Sequence, residues 1–488
     1  MDVPLRDVCK YVNGKVNVIG VVVETTFAKK TMGTDYCCAL RIIDDTRHDF
    51  SMAANVFGKS TENLPLVAAL GDIIQLSFVS VTTYRGEVNV TFNKNTSTFA
   101  LYKSKDDDGL NSYQVSRPYF VPKDEDKIII NKLRKWLINF QFSEDSSKFP
   151  LFRELKEETF VNLACKILHH SEAAKDEWVI FVWDGTDTQS NAICSNLENE
   201  LKHPLPLQRD HLPLPRDILC TFPTVGTILR IIFDIGVEKS HFHLLTIGKW
   251  VKINNLRLTL YAGLWHGVFT VQTKLRFISN EDQLIAERQR SVASLVDSIW
   301  FIILLKLMYV SYEFWSRLAC ERLSLILGRM PNLSFPEPSP ITVVNHRDHV
   351  RPVTLMSVLT HSKVTAIFKC VVRVVAAMPC KAENLRSSTG KYRMRLTLED
   401  STARIHALVI EEDVVTLFDG IPDAEKLERK LNKLLGISED NSIGGVKDTT
   451  RNPPWVCVCL KSYYLSKDDI WGTRNFRVFD TKILEDSS

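Results

Sequence analysis

Hydrophobic and polar positions alternate along much of this chain with the two-residue period of half-buried strands, and one local pattern occurs three times. A run rich in β-branched and aromatic residues ends in an acidic pair or Asp-Gly and then a Thr. The copies are Ala39-Leu40-Arg41-Ile42-Ile43-Asp44-Asp45-Thr46, Trp178-Val179-Ile180-Phe181-Val182-Trp183-Asp184-Gly185-Thr186 and Arg395-Leu396-Thr397-Leu398-Glu399-Asp400-Ser401-Thr402. Each is flanked by further β-rich runs, so the repeating unit is strand, strand, turn, strand. That is the first half of a five-stranded Greek-key barrel, the oligonucleotide-binding (OB) fold. The expected class is mainly β: three OB-fold barrels with connecting helices.

The elements follow in order. In the first barrel, strands are expected at Lys15–Val23, with Gly20 marking a bend, then at Tyr36–Ile43 and Phe50–Val56. A short helix is expected from Thr61 to Leu70, and a hairpin joins Ile73–Tyr84 to Val88–Phe92 about Arg85-Gly86. A helical period from Lys127 to Leu137 predicts a helix bracing one barrel against the next. The second barrel is expected to use Val161–Leu168, Glu177–Trp183, Val225–Phe233, Phe242–Leu245 and a hairpin within Leu256–Val271. The third uses Val364–Ala377, Tyr392–Leu398, Arg404–Ile410, Pro454–Tyr464 and Asn475–Ile483, with an amphipathic helix at Ala424–Leu435. The domain reading is then a first barrel at 1–102 that binds single strands, and a linker with a bracing helix at 103–150. A second barrel occupies 151–280, a helical and extended linker with an apolar insert 281–350, and a third, protein-interaction barrel 351–488.

Composition narrows the classes. The 488 residues are 45% hydrophobic and 24% charged, enough for several cores and too apolar for general disorder. A net charge of +3 excludes a polycation and permits a local basic groove. The 11 cysteines are scattered, and Met1-Asp2-Val3-Pro4-Leu5-Arg6 lacks the apolar core of a secretory signal, so reduced thiols in the cytosol or nucleus are expected. The apolar run Ser298–Leu305 is cut short by Lys306, whereas a spanning helix needs about 20 predominantly apolar residues. Residues 291–320 fit neither a spanning helix nor a barrel strand and read as a dispensable insert.

Gly33-Thr34-Asp35-Tyr36-Cys37, with Asp44-Asp45-Thr46, Phe57-Gly58, Leu64-Pro65 and Gly71-Asp72-Ile73, resembles the first barrel of the protection-of-telomeres family. Leu163-Ala164-Cys165 and Val182-Trp183-Asp184-Gly185-Thr186 are similar to its second domain. Phe368-Lys369-Cys370-Val371-Val372-Arg373-Val374-Val375 resembles the plant branch. The resemblance implies a nuclear, non-enzymatic protein at chromosome telomeres that binds the single-stranded G-rich overhang, caps the end and regulates telomerase access. It implies no cofactor, and partners that include the telomerase ribonucleoprotein and other capping proteins, reached through the third barrel. By matching position it implies nucleic-acid contacts at Thr34, Asp35, Phe57, Tyr84 and Arg85, with Lys29 and Lys30 on the backbone and Phe160 presenting a ring from the second barrel. Glu24 and Thr26 stand where the family has an aromatic and a basic residue: either the loop slips or affinity for DNA is weaker.

The chemistry agrees with that implication. Single strands are held by stacking on aromatic rings and by cations along the backbone. Guanine presents donors that Asp35 can accept, with Thr34 beside it. Each residue also has a structural alternative: Phe57 in a core, Asp35 capping a loop, Lys29 and Lys30 on a solvated face. Enzymatic patterns fail. His346-Arg347-Asp348 lacks the Asn of a kinase loop, Gly248-Lys249 lacks the first Gly of a phosphate loop, and Asp124-Glu125-Asp126 is a single local run. His241-Phe242-His243 would place two rings on one strand face without a third ligand. The spacing of Cys370, Cys380, Cys457 and Cys459 favours buried thiols over zinc. Two other functions stay open: a telomerase-associated adaptor with weak or no DNA binding, and a generic single-stranded nucleic-acid binder indifferent to sequence.

Overall fold

Along Arg47–Gly58 inward residues alternate with half-exposed ones from Met52 to Gly58, and this strand shows how the first barrel is made. In the computed structural model the barrel consists of Lys15–Thr26 (β1), Tyr36–Asp44 (β2), Arg47–Gly58 (β3), Ile73–Tyr84 (β4) and Glu87–Phe92 (β5). β1 pairs with β4 along Lys15–Val21 and with β2 along Val21–Thr25. Gly20 sits at this change of partner, where a Cβ would lie 3.1 Å from the Ile43 carbonyl oxygen. β2 pairs with β3, β3 runs parallel to β5, and β5 pairs with β4, closing the ring. Parallel closure between third and fifth strands is what an OB barrel requires. The β4–β5 turn has positive φ at Arg85 (51°) and Gly86 (83°), the primed-turn geometry that matches strand twist.

The structure describes residues 2–105, 111–118, 121–140, 149–156, 160–174, 177–194, 205, 214–223, 226–235, 237–238, 242–278, 282–290, 336–345, 350–386, 390–420, 423–437 and 450–484. They group into two compact units, Met1–Asp184 with Leu229–Thr259 and His266–Ser291, and Gly185–Ile228 with Leu260–Trp265 and Val292–Ser488. The apolar insert at 291–320, His241 and His346-Arg347-Asp348 lie outside the described residues.

The first unit also carries the second ring: Phe160–Ala174 (β6), Glu177–Trp183 (β7), Leu229–Phe233 (β8), Trp250–Tyr261 (β9) and Leu264–Phe269 (β10). Its order is that of the first, with β8 parallel to β10. In the second unit a closed barrel is formed by Ala366–Met378 (β11), Arg393–Glu399 (β12), Arg404–Ile410 (β13), Trp455–Tyr464 (β14) and Arg474–Phe479 (β15). The expected helix at Ala424–Leu435 is present. It is capped by the Asp423 side chain, which accepts from the Lys426 amide at 2.9 Å, and stopped by Gly436 at φ 67°.

Three expectations are corrected. Thr61–Leu70 is not a helix: only Thr61–Asn63 make a 3-10 turn. Pro65 lacks a donor and drives Leu64 to extended backbone, ψ 155°. The Gln114 side chain serves the freed backbone instead, bonding the Leu64 carbonyl and the Leu66 amide at 3.0 and 2.7 Å. Phe242–Leu244 is a 3-10 turn and not a strand; its ring packs with His170 and Trp178, at 4.8 and 4.7 Å between centroids, so apolar spacing there reflects a cluster. His243, on the same turn, has its Nε2 2.6 Å from the Val67 carbonyl oxygen. The third strand of the second barrel is Leu229–Phe233, and the described residues 226–228 of the expected strand lie outside it.

The helix Asp124–Ile138 (α1) lies along the outside of the first barrel, where Ile130 and Leu133 meet Ile19, Val21 and Val23, and Phe277 reaches it from beyond the second barrel. This explains why β1 is buried on nearly every residue: one face is core and the other lies under α1. Asp126 accepts from the Lys123 amide at 2.9 Å, so the acidic run Asp124-Glu125-Asp126 is the first turn of a helix, where negative charge is favoured.

The repeated Asp does the same job in each barrel. Asp44 accepts at one oxygen from the Leu5 amide at 2.8 Å. Its other oxygen accepts from the Thr46 amide and hydroxyl and the Arg47 amide at 2.9, 2.7 and 2.7 Å. Asp400 receives the Leu355 amide at 2.6 Å, and the Thr402 amide and hydroxyl and Ala403 amide at 2.8, 2.7 and 2.9 Å. Asp184 receives the Phe152 amide at 2.7 Å and the Arg288 guanidinium at 3.1 Å. Each Asp thus fastens a helical turn that precedes strand one (Leu5–Tyr11, Phe152–Glu154, Leu355–Leu359) to the turn after strand two. The residues so held, Leu5, Phe152 and Leu355, are fully buried.

Hydrogen bonds to a charged group contribute about 1.5–3 kcal/mol, and orphaned buried donors cost as much again. Asp44→Ala should therefore destabilise the first barrel by at least about 3 kcal/mol, and Asp44→Asn by less. Hydrogen exchange at the Leu5 and Thr46 amides should accelerate by orders of magnitude in the Ala variant; unchanged protection there would refute the latch.

Candidate nucleic-acid interface

The outward row of the first barrel is set by strand parity. Cys37, Ala39 and Arg41 on β2 face outward beside Phe57, Asn55 and Ala53 on β3. A groove of about 410 Å³ runs over this face, lined by Ala39, Arg41, Asn55, Tyr84, Arg85 and Asn89 among others. Phe57 is half-buried on the same row, two residues beyond Asn55. Tyr84 is 65% exposed at the hairpin tip, with the Arg85 guanidinium 5.3 Å from its ring centroid. A ring in water backed by a cation suits base stacking.

The expected cations and carboxylate lie at the other end of β2. Lys29 and Lys30 form a short strand opposite Cys37 and Tyr36, and Cys37 in turn faces Phe57. Lys30 is exposed and Lys29 half-exposed. Thr34 is exposed, and its hydroxyl donates to Asp35 at 3.4 Å. Asp35 is engaged by Lys94, whose ammonium meets both carboxylate oxygens at 2.6 and 2.7 Å. That hydrogen bond holds the Asp35 carboxyl below the usual carboxylate range. Phe160 stands apart, 40% exposed at the start of β6 opposite Arg257. The face therefore brings Lys29, Lys30, Thr34, Asp35 and Phe57 to one end and Tyr84 with Arg85 to the other.

Three residues near the loop take other work. Phe27 is buried between Phe233 and Phe269 of the second barrel, with centroids 5.4 and 5.2 Å away. Glu24 is turned toward Lys274 and Arg276, each at 3.5 Å, and accepts from the Asn254 amide group at 3.2 Å. The Thr26 hydroxyl accepts from the Ala39 amide at 2.9 Å. The departures at Glu24 and Thr26 are thus used for holding β1 and docking the second barrel. Sequence reasoning missed Arg41, Asn55, Asn89 and Lys274 as groove residues. For Arg41 a signal existed: it is the charged member of the outward alternation Cys37, Ala39, Arg41.

The equivalent face of the third barrel differs. Glu399 on β12 and Arg404 on β13 are ion-paired and buried, joined by Arg373 on β11 at 3.7 Å. Arg404 donates to the Ala262 carbonyl at 2.7 Å and Arg373 to the Asn191 carbonyl at 3.1 Å. Part of that face is covered by backbone from the same unit. Cys370 and Cys459 are buried, and burial pushes the Cys370 thiol well above its ordinary range. Among the described residues no three His, Cys, Asp or Glu side chains are grouped to hold a metal ion.

A barrel of OB order with an aromatic and cationic outward face is of the class that can hold a single nucleic-acid strand. The domain described as telomeric single-stranded DNA binding POT1/CDC13 matches residues 3–147, and the POT1A-like OB-fold domain matches residues 337–469. The chain is 34% identical to protection of telomeres protein 1b of Arabidopsis thaliana over 481 residues, 98% of this chain and 96% of that one. It is 34% identical to protein 1a of the same plant, covering 99% and 98% of the two chains. Protection of telomeres protein 1 of Homo sapiens is 24% identical over 55% of this chain and 37% of its own. The chain belongs to the protection-of-telomeres family, a family of telomeric single-stranded DNA-binding proteins and not of enzymes. Among the described residues no helix is long and apolar enough to cross a membrane.

Two substitutions separate the two kinds of aromatic. Tyr84→Ala should lower affinity for single-stranded DNA by about 1–3 kcal/mol without shifting the melting temperature. Phe27→Ala should lower stability by about 3–5 kcal/mol, seen as an earlier unfolding transition. A melting shift for Tyr84→Ala, or none for Phe27→Ala, would reverse the assignments.

Proposed function

We propose that the outward face of the first barrel holds the G-rich telomeric strand, with the protein capping chromosome ends in the nucleus and governing telomerase access. The observation that carries this reading is Tyr84, exposed and backed by Arg85, at the rim of a groove within the segment matched by the telomeric DNA-binding domain. In it, Phe57 and Tyr84 stack on bases, Lys29, Lys30 and Arg85 follow phosphates, and Phe160 continues the path onto the second barrel. Asp35 accepts from the donor edge of guanine beside Thr34. Lys94, already clamped to Asp35, orients the carboxylate and stays near to meet a phosphate.

The third barrel serves protein partners, among them other capping subunits and the telomerase ribonucleoprotein. The coverage of its outward face by the Asn191 and Ala262 backbone supports this, since a strand of DNA would have to displace it. A second reading, a telomerase-associated adaptor with weak DNA binding, is favoured by the diversion of Glu24 to Lys274 and Arg276 and of Asp35 to Lys94.

Titration with G-rich telomeric, C-rich and scrambled oligonucleotides at stated salt separates these readings. The G-rich strand should bind at least about tenfold tighter than the scrambled one, a difference of about 1.4 kcal/mol. Asp35→Ala should erase that preference. Lys29→Ala should weaken all strands alike and flatten the salt dependence by about one phosphate contact. Equal affinity for all three strands would indicate a generic binder, and no measurable binding the adaptor.

A further inference from the structure

The β2–β3 turn of the first barrel is held more firmly than its small size requires. Asp44 fastens it to Leu5, and Lys132 of α1 meets Asp45 at 2.5 Å. His48 packs against Trp136 and Phe140, both centroids 5.9 Å away. Arg47 donates from Nε to the Phe50 carbonyl at 2.9 Å. On this clamped turn the Phe50 ring is 77% exposed. It lies outside the barrel core. Beside it lies a concavity of about 510 Å³ lined by Arg41, Arg47, Asp49, Phe50, Ser51 and Glu87 among others. Arg41 and Glu87 also line the groove already described, so the two adjoin.

We propose that Phe50, Arg41, Arg47 and Glu87 form an additional nucleotide subsite that extends the groove past the Tyr84 hairpin and prefers guanine. The inference rests on the first barrel binding single-stranded DNA. Phe50 supplies a ring for one further base. Arg41 and Arg47 supply guanidinium groups for the adjoining phosphate. Arg41 is oriented by donating to the Ser51 carbonyl at 3.1 Å, and its other terminal nitrogen lies 3.6 Å from Glu87. The Glu87 carboxylate accepts the imino and amino hydrogens of a guanine edge, which adenine cannot supply in the same pattern. Asp49 repels phosphate, so the backbone passes on the Arg41 side. A pre-clamped turn matters because the backbone that carries the ring is fixed before the strand arrives, and that part of the ordering cost is removed from binding.

The test is a ladder of G-rich single strands shortened one nucleotide at a time from each end, titrated against the full chain. Wild type should lose about tenfold in affinity at one step from one end. In Phe50→Ala that step should vanish while shorter strands bind as in wild type. Phe50→Trp should keep it. Replacing the guanine at that step by adenine should matter in wild type and not in Glu87→Gln. If Phe50→Ala weakens every length equally, or leaves the step intact, the subsite is overturned while the wider reading stands. If wild type binds none of the strands, the reading of the first barrel itself fails.

Discussion

A buried carboxylate between two turns is the constraint on which each barrel of this chain depends. A small barrel must close at both ends, and its strand-two turn projects backbone donors where little water can reach them. In the first and third barrels one Asp oxygen gathers the turn's own donors and the other takes the first amide of the helical turn that plugs the barrel; in the second, Asp184 takes that amide together with the Arg288 guanidinium. The plug delivers a fully buried Leu or Phe, so the polar latch and the apolar seal are formed by the same contact. Burial outweighs the four donors that favour the charged form of Asp400 and leaves its carboxyl raised to about 6.

With the barrel end sealed, the outward surface is divided among competing demands. On the first barrel, α1 takes the side of β1 and leaves the β2–β3 side open. The loop after β1 is pulled away from that open side by Phe27, whose ring is worth more between Phe233 and Phe269 than on a mobile loop. What remains exposed is a set of rings and guanidinium groups with little role in stability. In the third barrel the same topology leads to a different surface, because the buried Arg373 and Arg404, both paired with Glu399, donate to the chain's own carbonyl groups there. Equivalent folds present non-equivalent faces, and function follows the face.

The three barrels were legible in the chain because strand alternation and the Asp-Thr turn are local. The Ala424–Leu435 helix was equally plain, since its cap, periodicity and terminal glycine all lie within a few residues. Where local signals conflicted with a neighbour, they misled: Thr61 promised a helix that Pro65 forbids, and Phe242 looked like a strand while serving an aromatic cluster. The repeated Asp was visible as a turn residue, but its partner amides, about 40 residues away in the first and third barrels, were not.

For the site, the sequence alone determined which residue types were on offer: aromatic residues at 57 and 84, cations at 29, 30 and 85, a carboxylate at 35. Only the tertiary structure decided how they are used. It tied Asp35 to Lys94, 59 positions away, buried Phe27 and left Phe50 in water. It also turned Arg41 from an ordinary strand residue into one that, with Glu87, is shared by two adjoining grooves. The physical reason is that the identity and parity of a residue are carried by its neighbours in the chain. Exposure and charge pairing are set by whichever distant element packs against it.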